Sequence, residues 1–350
     1  MVKNKENSED LDFWATNSEE GGWNIASTDE GSQKMNDEES EQQIKIQTGS
    51  DVVDDYFVEE ETSEDERMIV NMGPQHPSTH GVLRLQVELE GEAVRRVKPI
   101  IGYLHTGMEK TGEELTYLQG PTNTTRMDYL SPFFNELVFS LTTEKLLDME
   151  VPARAQTIRV LMTELNRISS HLVALATGGM DIGALSMMIF GFRERELVLN
   201  FFEKTTGLRM NHNYIRPGGV AADLPDDWQK DVKEILKIIP EKLKDYDEML
   251  LDNPIWKGRL QNVGILTAEE CLAYGITGPS LRASGHGWDL RKMQPYSGIE
   301  KFDFDVPVLQ ESDVFARWRI KVLEILESLK IVEQAMDNMP KGPYKIQDKK

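Results

Sequence analysis

The side chains best able to do chemistry are six histidines: His76, His80, His105, His171, His212 and His286. Two of them share one loop, Gly73-Pro74-Gln75-His76-Pro77-Ser78-Thr79-His80-Gly81. Its prolines forbid a helix, so the HxxxH spacing does not set both rings on one helical face as a zinc protease does. The loop reads as a glycine-flanked element that delivers imidazoles to a sheet edge for binding or proton transfer, or as one whose histidines only hydrogen-bond backbone. A second polar turn, residues 123–129, precedes a helix. There Tyr129 can donate a phenolic proton, while Arg126 and Asp128 can simply cap and pair. A third set, Glu164, Arg167 and His171, recurs on one face of an otherwise apolar helix. It reads most plainly as an exposed charged stripe; the alternative is a buried polar strip. Asp181 follows inside the apolar stretch 172–192, where a carboxylate must find a partner or take a proton.

Several chemistries are missing their residues. No GxGxxG follows a strand, no GxxxxGK[ST] or GxSxG occurs, and the Arg216-Pro217-Gly218-Gly219 turn lacks the lysine of a phosphate cradle. Nucleotide binding by this chain is unsupported. The single cysteine, Cys271, excludes disulfide frameworks, multi-cysteine zinc sites and any Fe–S cluster held wholly by this chain. Within a predicted helix it reads as a core filler. With 60 acidic against 39 basic residues and a net charge of −21, the 350-residue chain is no nucleic-acid binder.

The elements that must position these groups divide the chain. Residues 1–67 hold 21 of the acidic and 5 of the basic side chains and little apolar surface, so they read as a disordered acidic tail; a short docking motif near residues 54–61 is the alternative. The N-terminus shows no apolar signal segment, so a cytoplasmic location is expected. From Met68 to about residue 120 the pattern is antiparallel sheet. Leu83, Leu85, Val87 and Leu89 alternate with polar residues before a Gly91 turn, which predicts a hairpin with one buried face. Residues 121–255 read as a helical core, with Ser131-Pro132 starting one helix and Ile158 to Leu172 striping the next. The stretch 172–192 is long enough to cross a bilayer, but Gly178-Gly179 and Asp181 argue for two buried segments joined at a Gly-Gly-Met-Asp turn. A helix is expected from near Phe192, and another from Asp227, kinked or broken at Pro240. Residues 256–340 carry a capping box at Thr267 and end in a long helix striped by Phe315, Trp318, Val322, Ile325, Leu326, Leu329, Val332 and Met336. Residues 341–350 read as polar and structureless. The fold class is α+β: a small N-terminal antiparallel sheet beside a large helical core.

Six blocks in order carry a resemblance: GPQHPSTHGVLRL (73–85), GYLHTGMEK (102–110), MDYLSPFFNE (127–136), PARAQTIRVLMTELNRISSHL (152–172), YIRPGGV (214–220) and SGHGWDLRKMQPY (284–296). Together they resemble the D subunit of the proton-pumping NADH:quinone oxidoreductase, respiratory complex I. This family is similar in fold to the large subunit of nickel–iron hydrogenases. A hydrogenase metal site fails here, because its paired CxxC motifs need cysteines that one Cys271 cannot supply. The resemblance implies a quinone site at the interface with a small subunit bearing an Fe–S cluster. His80 and Tyr129 would hydrogen-bond the carbonyls of the quinone head group, and Asp181 would pair with His80. It further implies electron delivery from the partner's cluster, coupling to proton translocation, other peripheral-arm and membrane-arm subunits as partners, and a peripheral place on the cytoplasmic side of the cell membrane. NADH would be used by the complex and not bound here. Three positions depart from the family: His105-Thr106-Gly107 stands where many members have His-Arg-Gly, Asn211 stands where a histidine is common and has His212 beside it, and the family's further C-terminal segment is absent after Lys350. The competing reading is a non-catalytic scaffold or an inactive, truncated subunit.

Overall fold

A computed structural model describes residues 67–76, 81–251 and 253–347. The chain divides into two units, Met1–Met68 and Ile69–Lys350. The reading of the acidic tail therefore lies outside the described residues, as does His80.

The described residues open on a three-stranded sheet, β1 (Arg67–Met72), β2 (Arg84–Glu90) and β3 (Ala93–Ile100), in that spatial order. The hairpin predicted from period-two alternation is present. β2 pairs antiparallel to β3 from Arg84↔Ile100 to Glu90↔Ala93, with a register shift at Glu88/Leu89 and Gly91 at positive φ in the turn. The expected buried face is not closed by the described residues. Among the described residues of these strands only Val87 is buried, while Val94 and Val97 are exposed.

Short helices α1 (Met108–Glu114) and α2 (Gly120–Thr124) lead to α3 (Pro132–Leu146), α4 (Ala153–Asp181) and α5 (Leu185–Thr206). A tight hairpin, β4 (Ile215–Arg216) and β5 (Gly219–Val220), precedes α6 (Trp228–Leu250), α7 (Pro254–Leu260), α8 (Ala268–Ala273), α9 (Gly278–Arg282) and α10 (Leu290–Met293). The last helix is α11 (Val314–Asp337). The core forms where α4 packs on α3, α5 and α11, with α6 across α5 and α11. Ile158, Leu161, Met162, Leu165, Ile168, Leu172 and Leu175 of α4 are all fully buried. Burying such a side chain contributes roughly 1.5–3 kcal/mol, which makes α4 the axis of the molecule.

Four sequence expectations are corrected. The Gly178-Gly179 pair does not make the turn: α4 runs unbroken to Asp181 and the chain reverses through Ile182, Gly183 and Ala184. The glycines instead allow close helix packing. A Cβ on Gly179 would stand 2.7 Å from Met187 Cβ, and one on Gly191 2.7 Å from Ala176 Cβ, so α5 approaches α4 almost backbone to backbone. α5 accordingly starts at Leu185, ahead of Phe192. Second, α6 continues past Pro240, because Val232, Ile235, Ile239, Leu243, Tyr246 and Leu250 bury one continuous face that offsets the hydrogen bond proline removes. Third, the described part of the polar end, residues 341–347, is not structureless. Lys345 bridges Gly219, Val220 N donates to Tyr344 O at 3.0 Å, and Ile346 N donates to Gly218 O at 2.9 Å. Fourth, Glu164, Arg167 and His171 form the buried strip and not the exposed stripe. The Thr267 capping box, the long last helix and the buried Cys271 are as expected, and Asp313 caps that helix. Among the described residues no helix is long and apolar enough to cross a membrane.

Candidate functional site

Tyr129 sits in the turn between α2 and α3 and is exposed. The turn is fixed from both sides. Leu130 N donates to Asp128 Oδ1 at 3.0 Å, and Asn135 Nδ2 of α3 donates to the Asp128 carbonyl at 3.0 Å. From α4, Asn166 Nδ2 donates to the Leu130 carbonyl at 2.8 Å while its Oδ1 accepts from Phe133 N at 3.1 Å. Asp128 thus closes a local turn, and Arg126 donates back to the Thr122 carbonyl of α2. The rigid part of this region is backbone, and the Tyr129 side chain projects from it.

Asp181 is the last residue of α4 and is exposed. The apolar surroundings expected around it are on the other faces of the helix end. Arg259 of α7 donates to the carbonyl of the next residue, Ile182, which fixes the reversal. Tyr129 and Asp181 make no hydrogen bond with one another in the described structure. Tyr129's anchor on α4 is Asn166, and at 1.5 Å per residue Asp181 lies roughly 22 Å further along the helix axis. His80, the third member of the implied set, lies outside the described residues. His105 is exposed just before α1, whose N-cap Gly107 takes the left-handed conformation.

Between the two exposed groups runs the buried strip, and its ions are closed. Arg167 and Arg291 both donate to Glu164, at 3.1 Å each, and Ser328 Oγ adds a third donor at 2.7 Å. Arg291 also holds Asp289, with Nη2 at 2.7 Å. Arg282 lies 3.9 Å from Asp289 and donates to Glu324, which bonds His171 Nε2 at 2.7 Å. Burial opposes ionisation of both carboxylates, yet their partners win: Asp289 is held at about 2 by Arg291, and Glu324 at about 2 by His171 and Arg282. Burial also lowers His171, with Glu324 pulling the other way. The run Arg167–Glu164–Arg291–Asp289–Arg282–Glu324–His171 ties α4, α9, α10 and α11 together. The sequence exposed only its α4 members; a clue to the rest was the density of arginine and aspartate in 282–291.

An open apolar groove of about 460 Å³ borders the Tyr129 turn, lined by Tyr117, Met127, Asn135, Val138, Phe139 and Leu146 among others. Neither Tyr129 nor Asp181 lines it, so it is not offered as the seat of their chemistry. Among the described residues no group of three or more His, Cys, Asp or Glu side chains is placed to hold a metal ion.

Comparison with known proteins gives this geometry a context. The family described as the 49 kDa subunit of respiratory-chain NADH dehydrogenase matches residues 181–350. The chain is 59% identical over 288 residues to the NADH-quinone oxidoreductase D subunit of Rhodococcus jostii (strain RHA1), covering 82% of this chain and 66% of the relative. It is 57% identical over 288 residues to the D subunit numbered 1 of the same enzyme in Salinispora arenicola (strain CNS-205), covering 82% and 65%. With the D subunit of Mycobacteroides abscessus it shares 54% identity over 310 residues, 88% of this chain and 72% of the relative. The chain spans about two thirds of the length of the curated relatives it matches.

Proposed function

The chain belongs to the D-subunit family of NADH-quinone oxidoreductase, the 49 kDa subunit of respiratory-chain NADH dehydrogenase, and from that premise we propose that it supplies one wall of a quinone site. The observation that carries this reading is the pair Tyr129 and Asp181, both presented to solvent from rigid backbone in a chain 54–59% identical to named quinone oxidoreductase subunits. In this reading His80 and Tyr129 hydrogen-bond the two carbonyls of the quinone head group, and Asp181 pairs with His80. The chemistry favours such donors. A quinone gaining two electrons becomes strongly basic, so a phenol and an imidazole within reach stabilise the product and deliver its protons. A carboxylate behind the imidazole fixes its tautomer and favours its protonated form.

Electrons reach the quinone from an Fe–S cluster on a small partner subunit, NADH is oxidised elsewhere in the assembly, and the proton demand of reduction is coupled to translocation by a membrane arm. The chain sits peripherally on the cytoplasmic side of the membrane among other peripheral-arm subunits, in a fold akin to that of the nickel–iron hydrogenase large subunit. The competing reading is a scaffold without redox work. His80→Ala in the assembled enzyme separates the two. The quinone reading expects quinone-dependent NADH oxidation to collapse while reduction of an artificial acceptor persists; unchanged quinone activity supports the scaffold.

A further inference from the structure

Glu136 of α3 is fully buried, and no Lys, Arg or His nitrogen among the described residues lies within ion-pairing distance of it. Its carboxylate is clamped instead by backbone: Asn213 N donates to Oε1 at 2.6 Å, and Tyr214 N and Ile215 N donate to Oε2 at 2.8 and 2.9 Å. The loop it clamps is unusual. Asn211 and Asn213 both adopt positive φ, 56° and 50°. The same loop holds buried polar atoms with no hydrogen-bond partner among the described residues: Asn211 Oδ1, His212 Nδ1 and Asn213 Oδ1. All three can accept a hydrogen bond, and a buried acceptor left unmade costs about 1–3 kcal/mol. A carboxylate is acceptor-only and cannot satisfy them; a carboxylic acid carries an O–H and can.

We propose that Glu136 and the loop Asn211-His212-Asn213 form an internal proton-binding site, in which the carboxyl alternates between an anion clamped by three backbone N–H groups and an acid whose O–H serves one of the loop's unpaired acceptors. The proton comes from solvent and bonds to a carboxyl oxygen; no other bond changes. Taking it converts an acceptor facing N–H donors into a donor, so the clamp on residues 213–215 loosens when the site is filled. The groups facing Glu136 leave this titration to the carboxyl. After α2, the Thr125 hydroxyl lies beside it and favours the charged form, though its Oγ falls short of hydrogen-bonding geometry. On the loop, His212 stacks on Phe133 at 4.1 Å and its Nε2 donates to the Arg209 carbonyl, 3.0 Å away. Arg209 pairs with Glu196, Arg195 reaches Met210 Sδ, and Arg216 donates to the Asn213 carbonyl. Burial lifts the Glu136 carboxyl to about 7 against the pull of Thr125 and the three backbone donors. Burial also lowers His212 to about 4, so the two titrate in separate windows.

The site is wired to the Tyr129 turn. Residues 133–136 of α3 stack Phe133 on His212, hold Asp128 through Asn135 and clamp residues 213–215 through Glu136. Hydrogen exchange of the assembled enzyme tests the proposal without using its activity. After correction for the intrinsic rate, protection of the amides of residues 213–215 is expected to fall about tenfold between roughly pH 8 and pH 6, as one unit of titration is worth about tenfold. In Glu136→Gln that protection is expected to be independent of pH. Should Glu136→Gln fail to assemble, Thr125→Val removes only the hydroxyl that favours the anion and is expected to move the midpoint upward. Protection that ignores pH in the wild type, that still follows pH in Glu136→Gln, or whose midpoint does not move in Thr125→Val overturns the site.

Discussion

Two parts of the same helix treat charge in opposite ways. In the middle of α4, Glu164 receives Arg167, Arg291 and Ser328, and His171 meets Glu324, with both carboxylates fully buried and their partners largely so. At its end Asp181 faces solvent, as does Tyr129 on the turn that Asn166 anchors. A closed ion network is architecture, because its donors are already spent and each charge would be costly alone. An exposed carboxylate and phenol on rigid backbone stand within reach of a group that arrives from outside. The contrast is therefore between residues that hold the fold and residues that the fold holds out.

The largest test removes the hub of the closed network. Arg291→Ala leaves Glu164 short of one cation and Asp289 without its main partner, and by the usual cost of breaking a buried pair it should destabilise the full chain by about 3–5 kcal/mol in denaturant titration. A loss below about 1 kcal/mol would mean that water or rearrangement already solvates the network, and the contrast would fail. Acid should act on the same groups. Glu324 and Asp289 have folded values near 2, below their ordinary range, so the folded state binds fewer protons than the unfolded chain. Their stabilisation is complete above the ordinary carboxylate range and is lost as pH falls from about 4 through about 2. An acid melt whose loss is already complete at about pH 4 would contradict the depressed values.

A smaller effect is expected where α5 meets α4. Gly179→Val sets new carbon 2.7 Å from Met187 Cβ, and overpacking of this kind costs roughly 1–3 kcal/mol, readable as a lower Tm. The smallest effects belong to the exposed groups. Tyr129→Phe and Asp181→Asn should each leave stability within about 0.5 kcal/mol, since exposed side chains away from caps and cores contribute little. A large loss from either would move that residue to the architectural side of the comparison.

The same contrast decides what could be read in the chain order. The hairpin was legible because period-two alternation and Gly91 are local, and the last helix because its stripe is long. Tyr129 and Asp181 stood out through the family resemblance, and their exposure needed coordinates. The buried strip was visible only as a spacing, and its sign was read the wrong way. Its partners Arg282, Asp289, Arg291, Glu324 and Ser328 lie more than a hundred residues downstream, so nothing local shows that these charges are satisfied and can be buried. Gly178-Gly179 misled for a related reason. Glycine is punctuation when its freedom is used by the backbone, but here Gly179 is used for its missing side chain against Met187. Glu136 gave no signal at all, because its partners are main-chain N–H groups, which every sequence supplies.

The most direct test of the quinone reading is Tyr129→Phe in the assembled enzyme, measured as quinone-dependent NADH oxidation beside NADH oxidation by an artificial acceptor. Removing one hydroxyl changes no fold, so the second activity should stay at its wild-type value while the first falls by about tenfold or more, the worth of a hydrogen bond to a charged product. Equal quinone-dependent rates in the variant and the wild type would contradict the claim that Tyr129 meets the quinone.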